Sequence, residues 1–91
     1  MPNQLLINVK GKVQGVFFRA HTRDKAEQLH LKGWVKNNSD GTVSILAQGE
    51  KEQIDQLLDW CKEGPPSGRV DEITTTTPDI VEKVDEFEIR Y

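Results

Sequence analysis

Two stretches of helical period, set between runs of period-two alternation, constrain this chain more than any other feature of it. Residues 18–31, FRAHTRDKAEQLHL, favour a helix with Phe18, Thr22, Ala26 and Leu29 on one side and Arg23 and Glu27 one turn apart on the other. Residues 50–62 place Ile54, Leu57, Leu58 and Cys61 at i, i+3, i+4 and i+7, the pattern of an amphipathic helix lying on a sheet. The strands to receive them are legible as alternation. Leu5, Ile7 and Val9 alternate with Leu6, Asn8 and Lys10, and Val43, Ile45 and Ala47 repeat the pattern. Gly33–Asn38 is short and rich in Trp and Val, and Ser39-Asp40-Gly41 turns it back on the 43–47 run as a hairpin.

Further breaks divide the rest. Gly33 is expected to close the first helix, Gly49 to end the hairpin, and Gly64-Pro65-Pro66-Ser67-Gly68 to stop the second helix. Val70–Thr77 is β-branched with four consecutive threonines, as suits a strand with a solvated face at a sheet edge, and Pro78 stops it. Phe87, Ile89 and Tyr91 alternate against Glu86, Glu88 and Arg90 in a last strand that anchors the C-terminus. The order strand, helix, strand, strand, helix, strand, with a further strand at the end, is that of an α+β, ferredoxin-like (split β-α-β) sandwich. Its four- to five-stranded mixed or antiparallel sheet carries two helices on one face. Residues 1–91 are expected to form a single domain. This plan hosts enzymes, RNA binders and regulatory modules, so chemistry has to come from particular residues.

Composition narrows the classes. The chain is 30% charged with a mean hydropathy of -0.62, and no apolar run approaches the ~20 residues that span a bilayer. Met1-Pro2-Asn3-Gln4 lacks the basic flank and apolar core of a secretory signal, so none is expected. Cys61 is the single cysteine, which excludes an intramolecular disulfide and fits a cytoplasmic location. One cysteine and two scattered histidines do not furnish a structural zinc site. A net charge of -3 argues against nucleic-acid binding by a basic surface, so an anion bound here has to be captured locally.

Val9–Arg19, VKGKVQGVFFR, is the place for that capture. It runs from a strand pattern through Gly11 and Gly15 into a helix and ends on an arginine. A tight turn of this kind gathers successive N–H groups into an anion-binding nest, and the helix start points its partial positive charge the same way. Arg19 adds a planar fork suited to a phosphate or carboxylate. Taken alone, the glycine spacing equally serves a strand that needs a tight exit, and a lone arginine is more often a solvated one. The chain has no nucleophile beside a histidine and no metal-binding cluster, so a substrate would have to be intrinsically reactive.

Gly11, Val13, Gln14, Gly15, Val16, Phe18 and Arg19 match the signature Gly-x-Val-Gln-Gly-Val-x-Phe-Arg of the acylphosphatase family, and Gly33 through Val43 with Gly49 match its second signature. The chain resembles that family along essentially its whole length, including the ending Phe87-Glu88-Ile89-Arg90-Tyr91. The resemblance implies hydrolysis of acyl phosphates to a carboxylate and inorganic phosphate, with no metal and no cofactor. It implies that Arg19 holds the phosphoryl oxygens, that the backbone N–H groups of Gln14, Gly15, Val16, Phe17, Phe18 and Arg19 complete the cradle, and that Asn37 orients the attacking water. It also implies a small-molecule substrate; a monomer with no nucleic-acid or membrane partner is expected, the last two on the charge and the absence of a long apolar run.

Other candidate residues have plainer readings. His21 and His30 lie on a helix without a spaced partner, Cys61 belongs to an apolar stripe, Asp40 serves the turn, Trp34 and Trp60 pack, and Lys10, Lys12 and Lys36 solvate the sheet edge or steer an anion. Two other classes compete with the enzyme. A noncatalytic domain that binds an acyl or carbamoyl phosphate would bind without turnover. KVQGVFF is also similar to the aromatic segment of an RNA-binding ferredoxin-like module, but it enters the first helix rather than filling the third strand.

Overall fold

The computed structural model describes residues 3–15, 17–64, 68–79 and 83–91. Strand β1 (Asn3–Lys12) buries Ile7 and Val9 on the side that meets the helices, as its alternation requires. Helix α1 (Phe18–Gln28) buries Phe18, Thr22 and Ala26; Thr22 is tolerated in the core because its Oγ1 donates to the Phe18 carbonyl at 2.8 Å. Strands β2 (Lys32–Asn37) and β3 (Val43–Gly49) form the hairpin, helix α2 (Lys51–Glu63) buries Ile54, Leu57 and Cys61, and strands β4 (Arg69–Thr76) and β5 (Phe87–Arg90) follow.

The five strands form one sheet in the order β4-β1-β3-β2-β5, antiparallel except for the parallel pair β2 and β5. The threonine-rich β4 is an edge strand, as its composition predicts. Register aligns the core in rows. Ile7 faces Ile45, Ile45 faces Val35, and Val35 faces Ile89, which makes one aliphatic row across the sheet. The next row runs Ile73, Val9, Val43 and ends on Asn37, so an amide stands where the pattern would continue with an apolar side chain. Helix α1 lies over β2 and β5, and α2 over β1, β3 and β4. The two helices are joined by the Phe18 and Trp60 rings, stacked 5.7 Å apart at 5°.

Two local expectations are corrected. Gly33 does not close α1. The chain reverses at His30, in the left-handed region at φ 59°, while Leu31 N–H bonds the Ala26 carbonyl at 2.9 Å and His30 N–H the Glu27 carbonyl at 3.1 Å. This is a Schellman ending with a histidine where glycine is usual, held by burial of Leu31. Gly11 does not belong to the loop either. It lies inside β1 where the β4 register shifts, and a Cβ there would run into the Arg69 carbonyl oxygen. Gly64 caps α2 as expected; residues 65–67 and Val16 fall outside the described residues.

Candidate active site

The loop between β1 and α1 is anchored at both ends by core side chains, Val13 and Phe18. Between them Gly15 takes φ 74° and Phe17 takes φ 61°, ψ 20°, with the Phe17 ring 79% exposed. A left-handed residue followed by a helical one turns successive N–H groups toward one concavity. The first turn of α1 contains no acidic residue, and Phe17 supplies no side-chain cap. The opening N–H groups of the helix therefore lack helical acceptors and, among the described residues, a side-chain cap, and this end of the helix suits an anion. A cavity of about 290 Å³ opens here, with Gly15, Phe17, Arg19, Ile89 and Tyr91 in its walls.

Arg19 is fixed by the other end of the chain. Its Nη1 donates to the Arg90 carbonyl at 3.1 Å, and its Cζ lies 4.7 Å from the centroid of the Tyr91 ring. Arg23, Arg69 and Arg90 pair with Asp24, Asp71 and Glu88 respectively, whereas among the described residues no carboxylate pairs with Arg19. Its charge is available to the cavity.

Asn37 ends β2. Lys36 sits opposite Arg90 in the parallel β2–β5 pair, so Asn37 and Tyr91 stand one residue further along the two strands. Arg19 and this amide are thus brought to one end of the sheet, although Asn37 is not in the wall of the cavity itself. Asn37 Oδ1 is buried and has no hydrogen-bond partner among the described residues. An unpaired buried oxygen costs stability, as groups kept for chemistry do.

The turn after Asn37 is densely bonded. Asn38 Nδ2 donates to Thr42 Oγ1 at 2.9 Å and Ser44 Oγ at 2.7 Å, and Asp40 Oδ1 accepts from the Thr42 hydroxyl at 2.6 Å and the Thr42 N–H at 3.0 Å. These two bonds, the hydroxyl first, hold the Asp40 carboxyl below the usual range. Gln14 reaches the same turn through its side chain: Nε2 donates to the Asn38 carbonyl at 2.8 Å and the Thr42 carbonyl at 2.9 Å. In sequence Gln14 figures only as a main-chain donor. Nothing local signals this contact, because its partners lie 24 and 28 residues away.

The remaining candidates fall elsewhere. His21 is exposed and His30 ends α1. Lys10 and Lys12 line a separate shallow groove with Arg69 and Asp71, and Lys36 lies 5.4 Å over the Trp34 ring. No group of three or more His, Cys, Asp or Glu able to hold a metal ion occurs among the described residues.

Fold and site together define an α+β sandwich of the ferredoxin-like type with a cavity where the β1–α1 loop and Arg19 meet the end of β5. The sequence model of the acylphosphatase family matches residues 5–89. Acylphosphatases of Syntrophus aciditrophicus and Geobacter sulfurreducens are each 40% identical over 91 residues, covering all of this chain and 95% and 100% of theirs. The solved acylphosphatase structures of Coxiella burnetii and Bacillus subtilis superpose with TM-scores of 0.91 and 0.92 at 44% and 38% identity. Those superpositions cover 98% and 100% of this chain and 93% and 100% of theirs. The chain belongs to the acylphosphatase family and is an enzyme of that class, which hydrolyses the carboxyl-phosphate bond of acyl phosphates.

Proposed function

We propose that the phosphoryl group of a small acyl phosphate sits on the main-chain N–H groups of residues 14–19, with the Arg19 guanidinium on its oxygens and Asn37 Oδ1 orienting the attacking water. Water oxygen attacks phosphorus, the bond from phosphorus to the bridging carboxyl oxygen breaks, and the carboxylate leaves. A phosphoryl oxygen takes the proton of the water, so no protein base is required. A carboxylate is a good leaving group, so neither a general acid nor a metal is required. Positioning and charge stabilisation supply the acceleration.

The observation that carries this reading is an arginine with no carboxylate partner among the described residues, in the wall of the same cavity as a helix N-terminus without a side-chain cap. The test is phosphate release from acetyl phosphate in the presence of a metal chelator. Wild-type enzyme releases phosphate about a hundred- to thousandfold faster than folded Arg19→Gln; equal release by both removes Arg19 from the mechanism.

The same proposal takes residues 1–91 as one domain acting as a cytoplasmic monomer without a nucleic-acid partner. The single cysteine supports the location, and the net charge of -3 supports the absence of a nucleic-acid partner. The large apolar side chains exposed among the described residues, Phe17 and Tyr91, both belong to the cavity wall, so neither contributes to a separate apolar docking face.

A further inference from the structure

The carboxamide of Gln14 spends both of its protons on one turn. Nε2 donates to the carbonyls of Asn38 and Thr42, the two residues that flank the reversal between β2 and β3. The Thr42 carbonyl also accepts from the Asn38 N–H at 2.8 Å, and the Asn38 carbonyl from the Gly41 N–H at 3.2 Å, so Gln14 joins bonds that already define the turn. Gln14 immediately precedes Gly15 of the cradle, and Asn38 immediately follows Asn37.

Among the described residues between the anchors Val13 and Phe18, neither Gly15 nor Phe17 packs on the sheet. Gly15 is exposed, nothing lies within 4 Å of where its Cβ would be, and the Phe17 ring projects into solvent. Val13 and Phe18 fix the two ends of the loop, while between them the Gln14 side chain ties it to the turn that bears Asn37.

We infer that Gln14 is a positioning residue for hydrolysis, whose side chain sets the separation between the phosphoryl cradle and Asn37. The inference rests on the roles proposed above for the cradle and Asn37. Cutting the tether leaves the internal geometry of the cradle and the Arg19 charge intact, so phosphate affinity survives. The alignment of water with phosphorus is what suffers.

Gln14→Met keeps the length of the side chain and removes the donors. It is expected to lower kcat about tenfold to a hundredfold with the inhibition constant for inorganic phosphate within about threefold, the result of a misplacement on the order of 1 Å. In an Asn37→Ala background the same substitution is expected to cost little more, because the water is already unplaced. An unchanged kcat, a loss repeated in full in that background, or a loss confined to phosphate affinity overturns the inference. Gln14→Glu gives a second arm: the ionised carboxylate faces two carbonyl oxygens and donates nothing, whereas the protonated acid donates one bond. Its kcat relative to wild type should therefore rise as pH falls through the carboxyl titration, and a ratio flat with pH overturns the proposal. If Asn37→Ala itself turns over like wild type, the role given to Asn37 fails; if Asn37→Ala is impaired and Gln14→Met is not, the positioning role alone fails.

Discussion

Arg19 Nη1 donates a 3.1 Å hydrogen bond to the main-chain carbonyl of Arg90, joining the first turn of α1 to the last strand across 71 residues. Because β5 runs parallel beside β2, this bond sets the guanidinium relative to the end of β2, where Asn37 stands. The Tyr91 ring also meets the guanidinium, its centroid 4.7 Å from the Arg19 Cζ.

Arg19→Gln should lower turnover by about a hundred- to thousandfold, the effect of losing one preorganised donor at the developing charge, and should weaken inhibition by inorganic phosphate. Arg19→Lys should recover part of the phosphate binding without the turnover, since an ammonium lacks the fork that serves Arg90 and substrate together. Steady-state kinetics with phosphate as inhibitor separate the two effects.

Tyr91 is 99% exposed and contributes no burial, yet its ring centroid lies 4.7 Å from the Arg19 Cζ. Tyr91→Ala should reduce kcat/KM about two- to fivefold, the equivalent of an exposed cation–π contact worth roughly 0.5–1 kcal/mol. Tyr91→Phe should retain activity, and the melting temperature should not move in either variant.

Asn37→Ala should cut turnover by about a hundredfold or more while leaving phosphate inhibition intact, as expected of a group that places water. Its stability should hold or rise by about 1 kcal/mol, because the substitution removes a buried oxygen that has no partner among the described residues. Urea unfolding monitored by tryptophan fluorescence supplies the second measurement.

His30→Gly should stabilise the fold by about 1 kcal/mol, because it relieves a left-handed conformation that costs a non-glycine residue roughly that much. The Schellman bonds stay available to the glycine, and activity should be unchanged. Chemical denaturation with unaltered kinetics checks both points.

Burial pushes the Cys61 thiol up to about 12. An unfolded chain ionises its thiol near ~8.5, so the stabilisation linked to Cys61 is complete below that pH and is lost as pH rises toward the folded value. Wild-type stability should therefore fall more steeply above pH ~9 than that of Cys61→Ala. In the folded enzyme, a thiol reagent should react no faster than the protein unfolds.

The elements were legible in the sequence because their signals are local. The period of Ile54, Leu57 and Cys61 makes one face of a helix wherever the chain goes, and the alternation of Ile7 and Val9 makes one face of a strand. The loop into α1 was legible for a related reason, since it joins a strand exit and a helix start within a few residues. The ending of α1 was not: a histidine in a left-handed conformation has no strong local preference, and burial of Leu31 decides it. The place of Gly11 inside β1 has no local signal, because its need for a missing Cβ comes from the Arg69 carbonyl on another strand.

What the sequence determined by itself is a set of short-range preferences: two amphipathic helices, alternating strands, and a turn rich in main-chain donors beside an arginine. Tertiary structure alone decided that β5 lies parallel to β2, that the Arg90 carbonyl holds Arg19, that Asn37 closes an aliphatic row, and that Gln14 reaches across to Asn38 and Thr42. Each of these joins residues far apart in the chain, and such partners meet only when burial of the core fixes the register of the sheet.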